Sequence, residues 1–423
     1  MEIFMKNPSL FEFLSAAKTA YHAVDGIAAA LIANGYTRLY ENDEWSLERG
    51  GKYFVIRDGS SVIAFRNNGG GFQIAASHGD SPAFRVKGVK GSGAYARFDV
   101  EKYGGGILYS WLDRPLAVAG RAVVREGGAL ISKTLELPFR VSVPSVAIHF
   151  NRSVNDGIKL NPAVDMLPLA AIGSTDLTEL VADALGKSCE DIVSHELMLV
   201  CAEEPVLTGI NGELVLSPRL DDLAAVYTSL TAFLESGNGD FTPVLAVFDN
   251  EEVGSDTKQG AASTFLHATL KRISGTEDEY LCRLATSYMV SSDNAHARHP
   301  NHPELSDAEN APVLAGGVVI KCNANQRYTT DAVSEAIFAE LCDKAGVATM
   351  KYFNRADMPG GSTLGSIADT KVSIHTVDVG LPQLAMHSAV ETCAMADVEA
   401  MTKAILSLYT HKISIRGENI TIG

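Results

Sequence analysis

The chain alternates between apolar runs that end on a charged residue and stretches with apolar positions at helical spacing. Leu10 to Lys18 and Ala23 to Ala33 read as two helices, with Gly35 as the stop after the second. Lys52 to Arg66 reads as a hairpin around Asp58-Gly59, and Phe72 to Ser77 as a short apolar strand ending at His78. From about Gly88 the texture changes. Short β-like runs (GILYSW, AVVREGGALIS, FRVSVPSVAIHF) are separated by glycine turns at 91–93, 104–106 and 127–128, with one helix near Asp176 to Leu185. After about Leu216 strands and helices alternate again. Leu220, Leu223, Tyr227, Leu230 and Leu234 predict a helix over 221–235, and Pro243 to Phe248 a buried strand. Ala261 to Ile273 predicts a helix. Leu284 to Ser292, Val318 to Cys322, Ala348 to Phe353 and Val372 to Val379 predict strands, and Val398 to Tyr409 a closing helix. The expected architecture is an α/β domain, residues 1–87 and 216–423, split by a β-rich insertion, residues 88–215.

Composition narrows the function classes. The 423 residues are 46% hydrophobic and 20% charged, enough for sizeable cores. A net charge of −16 argues against a nucleic-acid partner, since phosphate binding needs clustered Lys and Arg. No apolar run approaches the roughly 20 residues of a membrane span, and the N-terminus lacks the basic and apolar regions of a signal peptide. Six scattered cysteines, with no CxxC pair, suggest neither a disulfide framework nor a thiolate metal site. A reduced, cytoplasmic setting fits.

Several ionisable residues share one placement. His78, Glu251-Glu252 and Asp293 follow predicted strands, His387 comes soon after another, and Asp221 opens a helix. The carboxyl ends of strands in an open α/β sheet form the binding crevice. Imidazole and carboxylate suit Zn²⁺, and two ions roughly 3.5–4 Å apart need one bridging carboxylate and about two further ligands each. His78, Asp221, Glu252, Asp293 and His387 supply five ligands, which leaves Glu251 as a general base. Spacing leaves open which of the adjacent glutamates does which. In His78-Gly-Asp80, Asp80 is placed to orient the histidine ring. Taken singly, each residue also has a plain structural explanation: a hydrogen-bonded histidine, a helix cap at Asp221-Asp222, a solvated Glu-Glu turn. The conjunction points to metal.

Longer strings then carry a resemblance. ASHGDSPAFRVK, SPRLDDLAAVY, VFDNEEVGSDT, SSDNAHARHPNHPEL, IKCNANQRYTTDAVSEAI, MPGGSTLGS and DVGLPQLAMHSAVET occur in that order, with SVPSVAIHFNR inside the insertion. Together they resemble the aspartyl aminopeptidase and vacuolar aminopeptidase I family of zinc metallopeptidases, from about residue 8 to the C-terminus. The resemblance implies a two-zinc aminopeptidase acting on peptides with a free N-terminus. It implies His78 as ligand with Asp80 as its partner, Asp221 as the bridge, Glu251 as base, and Glu252, Asp293 and His387 as further ligands. Asp222 stands where many relatives have Asn and is the alternative bridge. His149 is implied to reach a neighbouring subunit's site, or else to be a third zinc histidine. Lys321 is implied in the pocket for the first substrate side chain, which favours Asp or Glu there. Relatives form dodecamers, with the insertion mediating dimer contacts. The competing readings are another zinc amidohydrolase acting on N-acyl amino acids, and a non-catalytic structural relative.

Overall fold

The computed structural model describes residues 7–423; the first six residues of the segment 1–87, and with them the start of the N-terminus read above as lacking a signal peptide, lie outside that range. A nine-stranded mixed sheet organises the chain. Its order is Thr37–Leu39, Lys52–Arg57, Ser61–Arg66, Thr242–Phe248, Phe72–His78, Tyr288–Ser292, His375–Gly380, Val318–Lys321 and Thr349–Tyr352. The four strands beginning at Thr242, Phe72, Tyr288 and His375 are adjacent and parallel to one another. Their carboxyl ends therefore fall together.

Successive side chains of a strand point to opposite faces, and the two cores divide that way. Val62, Ala64, Leu245 and Val247 join one core with the helices Leu10–Ala16, Ala20–Ala33, Leu220–Glu235, Ala332–Ala345 and Met395–Leu408. Ile63, Phe65, Val244, Ala246 and Phe248 join the other, under Phe265–Ser274, Glu277–Leu284 and Leu364–Asp369. Strands covered on both faces read as continuous apolar runs, which is why PVLAVF was legible.

A separate six-stranded antiparallel sheet takes Ala129–Glu136, Leu116–Glu126, Ile192–Cys201, Ala83–Ser92, Tyr95–Tyr103 and Leu169–Ile172, in that order. It has its own core, including Phe84, Phe98, Leu116, Val118, Leu197 and Leu199, closed by Leu177 and Val181 of the helix Leu177–Leu185. Asp176 caps that helix through the amides of Thr178 and Glu179. Residues 206–208 and 214–217 leave this sheet. They pair instead in a five-stranded sheet with Glu391–Ala394, Pro382–Leu384 and Ala295–His296.

Some expected elements differ. GILYSW forms a 3₁₀ turn over Leu108–Trp111, on the path between two strands of the six-stranded sheet, where the Ser110 hydroxyl donates to the Ile107 carbonyl at 2.7 Å. FRVSVPSVAIHF contributes only isolated bridges at Val141, Ser142 and Val143; Pro144, which lacks an amide donor, ends the pairing. Leu284 ends a helix, so the strand begins only at Tyr288. The helix in 261–273 starts at Phe265. The chain closes on a hairpin, Ile413–Arg416 with Asn419–Ile422, and not on the preceding helix. All six cysteines are free thiols. Among the described residues, no helix is long and apolar enough to cross a membrane.

Leu245 is fully buried between Phe72–His78 and Ser61–Arg66 in the sheet. Leu245→Ala should lower unfolding stability by about 2–5 kcal/mol, read from the midpoint of chemical denaturation. A shift under 1 kcal/mol would show that the sheet relaxes around the gap.

Candidate metal centre

The site forms where three adjacent parallel strands end. His78 is the last residue of its strand, Glu251 and Glu252 follow Phe248 in a 3₁₀ turn, and Asp293 follows Ser292. Asp221 and Asp222 sit where the helix Leu220–Glu235 begins, both with non-helical backbone and joined by a cis peptide. His387 arrives from the loop between two strands of the five-stranded sheet. Two overlapping groups result, each with ligand atoms within 4.8 Å of one another: His78, Asp221, Asp222 and Asp293, and then Asp221, Glu252 and His387. His78, Glu251 and Glu252 make a third such set.

Asp221 belongs to both groups. Its Oδ1 lies 3.5 Å from His78 Nε2 and its Oδ2 lies 3.4 Å from His387 Nε2. Glu252 Oε2 is 3.5 Å from the same His387 nitrogen. Asp222 is turned elsewhere: its Oδ2 accepts the backbone N–H of His78 at 3.2 Å. The side chains of Asp221 and Glu252 are almost wholly buried, while Glu251 lines an open cleft of about 630 Å³ with His78, Asp293, Lys321 and His387.

Asp80 does more than its sequence position promised. His78 Nδ1 lies 3.0 Å from the Asp80 carbonyl oxygen and 3.4 Å from Oδ1. The carboxylate also accepts the amides of Glu251 at 3.1 Å and Glu252 at 3.2 Å, and the Tyr103 hydroxyl at 2.6 Å. Burial and the charges of Asp80 and Asp249 push that hydroxyl far above its usual pKa, so it stays a donor. Glu391 is a second support that the sequence reading missed. Its two oxygens accept the backbone N–H of Asp221 at 2.9 Å and of His387 at 2.6 Å. A buried acid in the apolar run Ala389-Val390-Glu391 was the available signal.

The electrostatics demand cations. Burial, reinforced by Asp293, Asp80 and Asp221, pushes Glu251 up to about 8. Burial also raises Glu252, Asp222 and Asp293. Burial would raise Asp221 too, but the His387 and His78 rings hold it low. Those rings are in turn raised against burial by the carboxylates, His387 to about 10. Protonated imidazoles here stand in for positive charge that the cluster otherwise lacks. Asp221 Oδ1, Asp222 Oδ1 and Glu252 Oε1 are buried without any hydrogen-bond partner, a costly state that a bound metal removes. The donor set, nitrogen and carboxylate oxygen without thiolate, fits Zn²⁺.

Of the other expected residues, Lys321 joins the site and His149 does not. Lys321 is buried beside the cleft and donates to the carbonyls of Asp293 at 2.7 Å and Asn294 at 3.3 Å. Its strand runs antiparallel to His375–Gly380, so its stem reaches back to the site. His149 is exposed and lies outside the cluster, in a loop with Val146, Ile148 and Phe150 also exposed.

A mixed α/β sheet with a His/carboxylate cluster at its parallel strand ends defines a metal-dependent hydrolase. The chain belongs to the aminopeptidase I zinc metalloprotease (M18) family, whose model matches residues 13–409. It is 41% identical to a probable M18 family aminopeptidase 2 of Clostridium acetobutylicum, over 95% of this chain and 97% of that one. It is 37% identical to a probable aspartyl aminopeptidase of Ricinus communis, over 92% of each. The solved S. cerevisiae mApe1 dodecamer superposes with a TM-score of 0.82 at 25% identity, over 95% of each chain. The protein is thus a zinc metalloaminopeptidase, a hydrolase that removes N-terminal residues from peptides.

Outer partners of metal ligands typically contribute 10–100-fold in affinity. Glu391→Ala should keep secondary structure by circular dichroism and release zinc to a competing chelator at roughly 10–100-fold lower concentration. Release at the wild-type concentration would mean that Glu391 supports only the fold.

Proposed function

We propose that two zinc ions would be held at this cluster, one by His78 and Asp293 and the other by Glu252 and His387, with Asp221 shared between them, and that Glu251 is the general base. The observation that carries this reading is the split of the Asp221 carboxylate, one oxygen toward each histidine. It also favours Asp221 over Asp222, which joins only the His78 and Asp293 group and whose Oδ2 is taken by a backbone amide. When bound, the two ions polarise the scissile carbonyl and acidify water. Glu251, on the open side of the cluster, takes the proton of the attacking water and passes it to the leaving amine. Asp80 holds the His78 ring and the two glutamate amides in place meanwhile.

Lys321 sets the preference for the first substrate residue. Its N–H donors go to the carbonyls of Asp293 and Asn294 and its ammonium lies 3.7 Å from Asp293 Oδ2, so a substrate carboxylate in the cleft that it lines would share this charge with Asp293. The name of the Ricinus relative agrees with an acidic preference. The chain works as a cytoplasmic homo-oligomer of the dodecameric kind seen for mApe1. Residues 88–215 form the inserted dimerisation domain, 1–87 and 216–423 the catalytic one. His149, on its exposed apolar loop, serves a neighbouring subunit's substrate site.

Glu251→Gln keeps the shape but accepts no proton, so kcat should fall by about 10²–10⁴ with zinc content near wild type. Glu252→Gln should lower zinc content instead. Elemental analysis beside kinetics checks both, and reversed phenotypes would exchange the two roles. A strong chelator should abolish activity in the wild type and added Zn²⁺ restore it; full activity in metal-free protein would end the reading.

For Lys321, kcat/KM is measured with Asp-, Glu-, Leu- and Lys-anilides. A desolvated charge-assisted contact of about 1.5–3 kcal/mol predicts a roughly ten- to hundredfold acidic preference, lost in Lys321→Leu. A wild type that favours Leu or Lys would refute it.

A further inference from the structure

After the strand Tyr95–Tyr103 the chain leaves the six-stranded sheet as Gly104-Gly105-Gly106-Ile107 and crosses the carboxylate cluster. From Gly104 to Ile107 its contacts fall on the Glu252 and His387 side of that cluster, while Tyr103 reaches Asp80, which also holds the His78 ring. The Tyr103 hydroxyl donates to Asp80 Oδ2 at 2.6 Å and accepts from Asn250 Nδ2 at 2.9 Å, next to Glu251. A Cβ on Gly104 would stand 3.1 Å from Glu252 Cβ and 3.4 Å from its Oε2. The Gly105 carbonyl lies 3.3 Å from His387 Nδ1, and the Ile107 amide donates to the His387 carbonyl at 2.9 Å.

We propose that this strap, residues 103–107, is the positioning element for the half-site of Asp221, Glu252 and His387, and so ties that half-site to the six-stranded sheet. The inference rests on the two-zinc reading above. A carbonyl oxygen can only accept, so Gly105 selects the His387 tautomer with its proton on Nδ1. That leaves the Nε2 lone pair facing Asp221 and Glu252, as a metal ligand requires. Gly104 backs the Glu252 side chain at a distance that tolerates no methyl without displacement. Tyr103 steadies Asp80 Oδ2, the oxygen that takes the Glu252 amide, whereas the His78 ring faces the Asp80 carbonyl and Oδ1.

The other half-site is built differently. His78 and Asp293 follow directly from neighbouring strands of one sheet, and the His78 ring is fixed by Asp80 two residues on. The Glu252–His387 half-site is shared among three sheets: Glu252 comes from the nine-stranded sheet, His387 from the five-stranded one and the strap from the six-stranded one. Its metal is therefore the more weakly held of the two, and the strap sets by how much.

The test is stepwise zinc release from the purified oligomer to a chromophoric chelator. Gly104→Ala adds a methyl against Glu252. Its backbone has φ +72°, which itself penalises alanine, so Gly127→Ala is the control: φ +57° at a hairpin tip, with nothing within 4 Å. Tyr103→Phe removes only the hydroxyl and decides the matter if Gly104→Ala does not fold. Wild type and Gly127→Ala should release two zinc ions in two steps. In Gly104→Ala the weaker step should move to about 10–100-fold lower chelator with the tighter step unmoved. Tyr103→Phe should move the same step further than the tighter one, since Asp80 also holds the His78 ring, and excess Zn²⁺ should restore its kcat with KM near wild type. Wild-type release profiles in both variants, or an equal loss of both ions, would overturn the strap's role. A wild type that never binds two zinc ions would remove the two-zinc reading itself, and the inference with it.

Discussion

Five carboxylates, from Asp221, Asp222, Glu251, Glu252 and Asp293, are packed with two imidazoles in one largely buried cluster. Like charges at such separations, taken out of water, repel strongly. Without added positive charge the cluster must stay partly protonated, which is the condition that the raised carboxyl groups and raised histidines describe. The surrounding structure tolerates this arrangement because it is made to hold cations. Asp222, Glu391 and Asp80 hold the backbone amides of His78, Asp221, Glu251, Glu252 and His387 in place.

Sheet topology supplies that crowding. Parallel neighbours bring the ends of Thr242–Phe248, Phe72–His78 and Tyr288–Ser292 to one edge. The helix beginning at Leu220 and the loop bearing His387 close over that edge, joined through Glu391. The apolar cores on the two faces of the sheet keep those strand ends in register. The cleft between the cluster and Lys321 is thus a consequence of where the parallel strands stop, with the chemistry added by whichever residue comes next in the chain.

That explains what was legible in the sequence. An apolar run that halts on His78, or three residues before Glu251, announces both a strand and a polar end. Asp80 was visible from its spacing alone. Tyr103 and Glu391 were not, because each acts through a partner more than a hundred residues away or across two sheets, and no local pattern records such a pairing. GILYSW has the apolar and aromatic character of a strand yet turns as a 3₁₀ segment, where the Ser110 hydroxyl bonds the backbone carbonyl of Ile107. The helix Ala332–Ala345 went unread although Asp331 and Ser334 form a capping box, and the last hairpin is too short and too polar to stand out. The two glutamates at 251 and 252 have identical local chemistry; only burial distinguishes the one facing the cleft.

The central claim is that this cluster is arranged around two cations with Asp221 between them. Anomalous diffraction from crystals of the zinc-loaded protein, collected on both sides of the zinc edge, tests it most directly. The account predicts two zinc peaks roughly 3.5–4 Å apart, one beside His78 and Asp293 and the other beside Glu252 and His387, with one Asp221 oxygen directed to each. A single peak, or two peaks that Asp221 does not join, would contradict it.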